Sequence, residues 1–279
     1  MADCRTAQTA LAAAAARFAF SATPRLDAEL LLAHALGISR EALLLDLARP
    51  VPATFDALVV RRAAHEPVAY ITGTRGFWTI DLAVGPGVLI PRADSETLIA
   101  VAVAQFAGMR GPAQILDLGT GPGTLLLAAL DQWPDATGLG VDASAEALAY
   151  ARRNAAALGM ADRVAFRLGN WGEGLDARFD LILANPPYVA AGEALPPEVS
   201  RFEPAAALFA GRDGLADYRR LAPQLRQLLA PGGVAAIEIG HSQAAVVTAI
   251  LGENGLSVDV HQDLGGRDRC LMATLASNT

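Results

Sequence analysis

The 279-residue sequence predicts an α/β protein: a mostly parallel sheet covered on both faces by helices, preceded by a small all-helical domain. Three observations carry that expectation. Up to residue 67 the apolar residues recur only at helical spacing. From residue 93 onward, short apolar runs alternate with helical patterns, which implies parallel strands joined by helical crossovers. Between them, residues 68–92 are punctuated by Gly73, Gly76, Gly85-Pro86-Gly87 and Pro91 and read as a linker. The expected domains are therefore 1–67, a helical bundle, 68–92, the linker, and 93–279, the sheet domain.

In chain order, the bundle has helices at Leu11 to Phe20, Leu26 to Leu36, Glu41 to Leu47 and Ala53 to His65, with Ser21-Ala22-Thr23-Pro24 and Gly37 as start and stop signals. The linker reads as short strands at Val68 to Ile71, Phe77 to Val84 and Val88 to Ile90. A helix over Ser95 to Phe106 takes Asp94 as its N-cap. Next come strand Gln114 to Leu118, helix Gly123 to Asp131, strand Thr137 to Val141 and helix Ala145 to Leu158. Strands Val164 to Leu168 and Phe179 to Ala184, helix Gly214 to Leu229 and strand Val234 to Ile239 follow. Helix Gln243 to Glu253 and strands Ser257 to Gln262 and Arg269 to Leu275 complete the pattern.

Composition removes several classes. A hydrophobic fraction of 53% with 18% charged residues is that of a globular chain, not a disordered or collagenous one. All 22 basic side chains are arginine, against 29 acids, for a net charge of −7, so the bias toward arginine is compositional and no basic nucleic-acid footprint is present. Residues 1–92 carry nine arginines against eight acids and 93–279 carry 13 against 21, leaving the helical part nearly neutral. Cys4 and Cys270 supply neither a disulfide framework nor ligand spacing, which points to a reducing, cytoplasmic location. The apolar stretch Ala10 to Ala16 lacks the basic start of a secretory signal, and no apolar run is long enough for a bilayer. The expectation is a soluble cytoplasmic monomer, without membrane or stable nucleic-acid partners and without a metal.

In open parallel sheets, ligands sit beyond the carboxyl ends of the strands, so the loops there carry the chemistry. Gly119-Thr120-Gly121-Pro122-Gly123 follows Asp117-Leu118 and opens a helix, where glycines permit close approach and the free helical N–H groups face a ligand. The spacing G-x-G-x-G departs from the dinucleotide pattern, because position 124 is Thr. Asp142, ending the second strand, is placed for ribose hydroxyls, with a helix N-cap as the competing role. Asn170-Trp171 after the third strand offers an amide and an indole to an adenine ring, with plain packing as the competing role of Trp171. Together these loops describe adenosine, whether in a nucleotide or in S-adenosylmethionine.

Asn185-Pro186-Pro187-Tyr188, after the fourth strand, separates those two. Adjacent prolines stiffen the loop and leave carbonyl acceptors. A planar –NH₂ can then donate to the Asn185 oxygen and the Pro186 carbonyl while Tyr188 offers a face, aiming the nitrogen lone pair at a methyl sulfonium. Catalytic roles accordingly fall to Asn185, Pro186 and Tyr188, with Pro187 completing the acceptor site.

The chain resembles the HemK/PrmC family in these loops and also in Glu66-Pro67-Val68-Ala69-Tyr70-Ile71-Thr72-Gly73, Val88-Leu89-Ile90-Pro91-Arg92-Ala93-Asp94-Ser95-Glu96, Glu203-Pro204, Gly211-Arg212-Asp213-Gly214-Leu215 and Pro231-Gly232-Gly233 with Ile237-Glu238-Ile239-Gly240. The resemblance runs from about Asp27 to Arg269. It implies a class I methyltransferase sheet with a final antiparallel strand. The activity it implies is S-adenosylmethionine-dependent N(5)-methylation of the Gly-Gly-Gln glutamine of class I peptide chain release factors, with an N-terminal bundle that helps dock them. By the same resemblance, Gly119 to Gly123, Asp142, Asn170, Trp171 and Asn185 line the cofactor, and Asn185 to Tyr188 hold the glutamine amide. Ala93 stands where the family has Pro, Ser95 where it has Thr, and Pro122 where Gly or Ser is commoner; Ser95 keeps the hydroxyl.

Two other activities share the tetrapeptide: N(6)-adenine DNA methylation and glutamine methylation on a ribosomal protein. The first wants a basic target-recognising region that the acidic chain lacks; the run from Pro91 to Glu96 favours release factors over the second. Among the remaining residues, His34, His65, His241 and His261 lack ligand spacing, Arg61-Arg62 and Arg152-Arg153 read as solvated helix faces, Glu238 is either near the cofactor or a structural partner, and Arg92 and Arg201 are candidates for substrate contact.

Overall fold

The computed structural model describes residues 5–276, so Cys4 lies outside the described residues. The chain begins with helices α1 (Ala7–Arg17), α2 (Pro24–Leu36), α3 (Arg40–Leu45), α4 (Thr54–Ala63) and α5 (Val68–Thr72). It continues through β1 (Thr74–Phe77), β2 (Ile80–Ala83), α6 (Glu96–Gln105), β3 (Gln114–Leu118), α7 (Thr124–Gln132), β4 (Thr137–Asp142), α8 (Ala145–Ala157), β5 (Val164–Leu168) and β6 (Phe179–Ala184). The last elements are α9 (Pro197–Ser200), α10 (Ala216–Leu228), β7 (Leu229–Glu238), α11 (Ala244–Glu253), β8 (Leu256–Gln262) and β9 (Asp268–Leu275).

Within the described residues these elements form two compact units, one of residues 5–74 with 195–202, the other of 75–194 with 203–276. In the first unit, α1 starts behind Thr6, whose Oγ1 caps Thr9 N–H, and α2 ends at Gly37 in the left-handed conformation (φ 67°). The unit closes over Leu11, Phe18, Leu31, Leu32, Leu43 and Phe55, all fully buried. Arg62 corrects the reading of Arg61-Arg62 as a solvated pair: Arg61 is exposed, but Arg62 is buried. Its guanidinium pairs with Asp27 at 2.9 Å and Glu198 at 2.7 Å and lies over the Phe20 ring, so burial is matched by charge and stacking.

The second unit is a seven-stranded sheet in the order β5-β4-β3-β6-β7-β9-β8. The first five strands run parallel, and β9 pairs antiparallel with both neighbours. Central β3 is buried from Ile115 to Leu118 because helices cover both faces of a parallel sheet. The registers Leu118↔Val141 and Leu118↔Ala184 align the carboxyl ends of β3, β4 and β6 along one edge.

The linker reading is corrected in three places. Val68 to Ile71 belongs to α5, not a strand: Pro67 caps one end, Gly73 at φ 76° stops the other, and burial of Ala69, Tyr70 and Ile71 outweighs their strand-like composition. Phe77 to Val84 is broken by Trp78 at φ 54° into the β1–β2 pair. Val88 to Ile90 joins no sheet, because Ile90 N–H donates to the Glu203 carboxylate at 3.0 Å. Nor does Asp94 cap α6: a 3₁₀ turn over Ala93–Ser95 precedes that helix, and Asp94 pairs with Arg269 at 3.3 Å. Among the described residues no helix is long and apolar enough to cross a membrane.

Candidate active site

The carboxyl edge of β3, β4, β5 and β6 opens into a cavity of about 470 Å³ within the second unit. Gly119, Thr120, Gly121 and Pro122 border it after β3; Asp142 does so at the end of β4, Asn170 and Trp171 after β5, and Asn185 and Pro187 after β6. Gly123, Pro186 and Tyr188 do not border it. Gly123 instead starts α7 at φ 89°, and the turn it closes has Gly119 at φ 76° and Gly121 at φ 56°, conformations that side chains resist.

The glycine loop is held from beneath by two acids. Asp117 Oδ2 accepts from the Thr120 hydroxyl at 2.7 Å and from Leu126 N–H at 3.2 Å. Its Oδ1 is buried without a hydrogen-bond partner, and Asp117 borders the cavity. Burial pushes this carboxyl up to about 7, with the Asp142 charge adding to the effect and the two hydrogen bonds opposing it. Asp142 Oδ2 accepts from Gly121 N–H and its Oδ1 from Ser144 N–H, both at 2.8 Å. The N-cap of α8 is Ser144, which accepts from Ala147 N–H at 3.1 Å, so Asp142 does not fill the competing role.

Trp171 sits at φ 53°, and Asp217, which also borders the cavity, has its proton affinity raised by burial, with the Arg220 charge and the Trp171 indole opposing that rise. A Cβ on Gly119 would stand 3.1 Å from that ring, so the glycine makes room for the indole. Asn170 is exposed and donates to Glu173 at 2.7 Å.

The Asn-Pro-Pro-Tyr loop is anchored at both ends. Asn185 Nδ2 donates to Ser95 Oγ at 3.2 Å, which leaves Oδ1 as an acceptor beside the cavity. Tyr188 Oη donates to Glu238 Oε1 at 3.4 Å, and its carbonyl accepts from Gln243 Nε2 at 3.0 Å. Burial, followed by the Glu238 charge, pushes the Tyr188 phenol up to about 12. Of the two arginines considered for substrate contact, Arg92 borders the cavity and pairs with buried Glu203, whereas Arg201 does not border it and belongs to the first unit.

Sequence reasoning left Asp117 and Ser95 out of the site, although both border the cavity. Asp117 was legible as the residue that opens the glycine loop; Ser95 was legible only as part of the Pro91 to Glu96 run, because its partner Asn185 lies ninety residues away.

Comparison with known proteins covers both units. Residues 9–73 match the family described as PrmC N-terminal domain, and residues 111–256 the family described as methyltransferase domain. Release factor glutamine methyltransferase of Rhodospirillum rubrum is 47% identical over 257 residues, spanning 90% of this chain and 78% of that protein. The protein of the same name from Caulobacter vibrioides is 42% identical, spanning 89% of each. That from Yersinia pestis is 39% identical, over 95% of this chain and 98% of that one. Among solved structures, a methyltransferase from Pyrococcus furiosus superposes with a TM-score of 0.54 at 19% identity, over 81% of this chain and 100% of that one. A ribosomal protein L11 methylase from Lactobacillus delbrueckii subsp. bulgaricus gives 0.51 at 24% identity, over 70% and 84%. Both share the sheet described above.

Proposed function

The chain belongs to the release factor glutamine methyltransferase family, and from that premise we propose that it transfers methyl from S-adenosylmethionine to the Gly-Gly-Gln glutamine of class I peptide chain release factors. The observation that carries this reading is that Asn185 borders the same cavity as the glycine loop and Asp142, with its Oδ1 left free to accept.

The residues present suit such a cofactor. Gly119, Thr120, Gly121 and Pro122 bring backbone groups close while Gly123 turns the chain into α7, the carboxylate of Asp142 takes ribose hydroxyls, and Trp171 with Asn170 takes the adenine. The unpartnered Oδ1 of Asp117 supplies an acceptor for a cationic amino group. S-adenosylmethionine supplies a methyl carbon on a positively charged sulfur. Asn185 Oδ1 and the Pro186 carbonyl accept the two amide N–H bonds of the glutamine. That grip fixes the plane of the –NH₂ and turns its lone pair toward the cavity, which is catalysis by orientation. Pro187 keeps the loop stiff, and Tyr188 closes the acceptor site.

Residues 1–67 form the surface that docks the release factor; their near-neutral charge avoids repulsion from an acidic or mixed partner. The enzyme acts in the cytoplasm as a monomer, where this substrate is found. Incubation with labelled S-adenosylmethionine and purified release factor, followed by mass mapping, tests the reading. Label on the Gly-Gly-Gln glutamine is expected; label confined to DNA or to a ribosomal protein overturns it.

A further inference from the structure

Resting on the transfer assigned above, we propose that Ser95 and Glu238 are positioning residues that set which end of the Asn185 side-chain amide faces the acceptor nitrogen. The two ends of an asparagine amide are nearly equal in shape, but one accepts and the other donates twice. Only the oxygen end can grip an –NH₂. Packing does not tell the ends apart; their hydrogen-bond partners do.

Asn185 Nδ2 donates to Ser95 Oγ at 3.2 Å. A hydroxyl carries a single proton, so a serine oxygen that accepts from asparagine gives its own proton elsewhere. The group facing it is Glu238, at the end of β7 and only 1% exposed. Ser95 lowers the proton affinity of that carboxyl, and Glu238 Oε2 is buried with no hydrogen-bond partner, which leaves it as the acceptor open to the Ser95 proton. A carboxylate can only accept. Ionised Glu238 therefore draws the proton of Ser95, Ser95 in turn draws on Asn185 Nδ2, and Oδ1 is left for the substrate. Tyr188 Oη donates to the other oxygen of the same carboxyl, so both ends of the acceptor loop hang on one buried acid.

Glu238 is faced by Asp94 and Ser95 from the turn before α6, Tyr188 from the loop after β6, Tyr218 from α10, and Arg269 and Cys270 from β9. Burial pushes its carboxyl up to about 7; Asp94 adds to this, while Ser95, Arg269 and Tyr188 oppose it. Once protonated, Glu238 can donate to Ser95, which is then free to donate to Asn185 and turn the amide round. The grip on the acceptor consequently weakens as pH falls through about 7.

The test uses the full chain with release factor and labelled S-adenosylmethionine at saturation, measuring single-turnover transfer, and S-adenosylhomocysteine affinity by calorimetry. Ser95→Ala is expected to slow transfer by about tenfold to a hundredfold, with affinity held within about threefold. Ser95→Thr, which keeps the hydroxyl, restores the rate. Glu238→Gln, which can donate to Ser95, slows transfer similarly, and the wild-type rise in rate through about pH 7 is flattened in it and in Ser95→Ala. Wild-type rates in Ser95→Ala, failure of threonine to rescue, or an unchanged rate and pH profile in Glu238→Gln would each overturn the proposal. Should Glu238→Gln lose S-adenosylhomocysteine binding through misfolding, the Ser95 pair decides alone. Absence of transfer to release factor by the wild-type protein would instead sink the functional reading beneath it.

Discussion

Asn185 and Asp117 divide the site's work between acceptor and cofactor, and each makes a separate prediction. Asn185 is held by Ser95 and borders the cavity with its Oδ1 left to accept from a substrate. Asn185→Ala is accordingly expected to abolish transfer while holding cofactor affinity within about tenfold; equal loss of both would show that it chiefly binds cofactor. Asp117 makes a prediction about pH. Its folded proton affinity lies above the unfolded value, pushed up from 3.8 to about 7 by burial, so the protonated form is the one that folding favours. The resulting stabilisation is present below about pH 4 and is lost as pH rises through about 7, each tenfold change in proton affinity being worth about 1.4 kcal/mol. Urea unfolding of wild type and Asp117→Asn across that window is expected to show the wild-type advantage shrinking with pH; a constant difference refutes the assignment. The glycine loop, Asp142 and Asn185 could all be read in the sequence because each follows a strand directly. Ser95 could not, since its role depends on a partner supplied by another strand end.

At the scale of elements, Gln243 ties three loops together. Its Nε2 donates to the carbonyls of Tyr188 and Gly214 at 3.0 and 3.4 Å, and its Oε1 accepts from Gly240 N–H at 3.0 Å. Gly214 is at φ 73°, and a Cβ there would stand 2.4 Å from the Tyr188 carbonyl oxygen. Gly214→Ala is therefore expected to cost about 1–3 kcal/mol of stability and to slow transfer by shifting Tyr188. Thermal unfolding and single-turnover rates check this, and an unshifted melting temperature would contradict it. The strand and helix pattern from residue 114 onward was legible because a doubly covered sheet demands continuous apolar strands separated by amphipathic helices. The stretch from 68 to 92 was not. Its β-branched and glycine-rich composition suits several local structures, and the choice fell to tertiary partners: burial for α5, and Glu203 for Ile90.

At the scale of the whole chain, the first unit takes in a segment from far along the sequence, Leu195–Phe202. Glu198 in that segment pairs with buried Arg62, which also neutralises Asp27. Arg62→Ala leaves Asp27 buried without its cation, a loss of about 3–5 kcal/mol, and releases Glu198. Limited proteolysis is expected to cut within 195–202 in this variant before the sheet core is touched; a protected segment would show that Arg62 does not hold it. Periodicity and loop chemistry along the chain were enough to establish a helical bundle, a parallel sheet and an acceptor loop at the end of its fourth parallel strand, since each depends on neighbours a few residues apart. Which distant groups meet was decided only by folding: Ser95 with Asn185, Arg62 with Glu198, and Ile90 with Glu203. Such pairings join residues whose separation along the chain carries no periodic signal, and they form because a buried donor or charge must find its complement wherever the packed core brings one within reach.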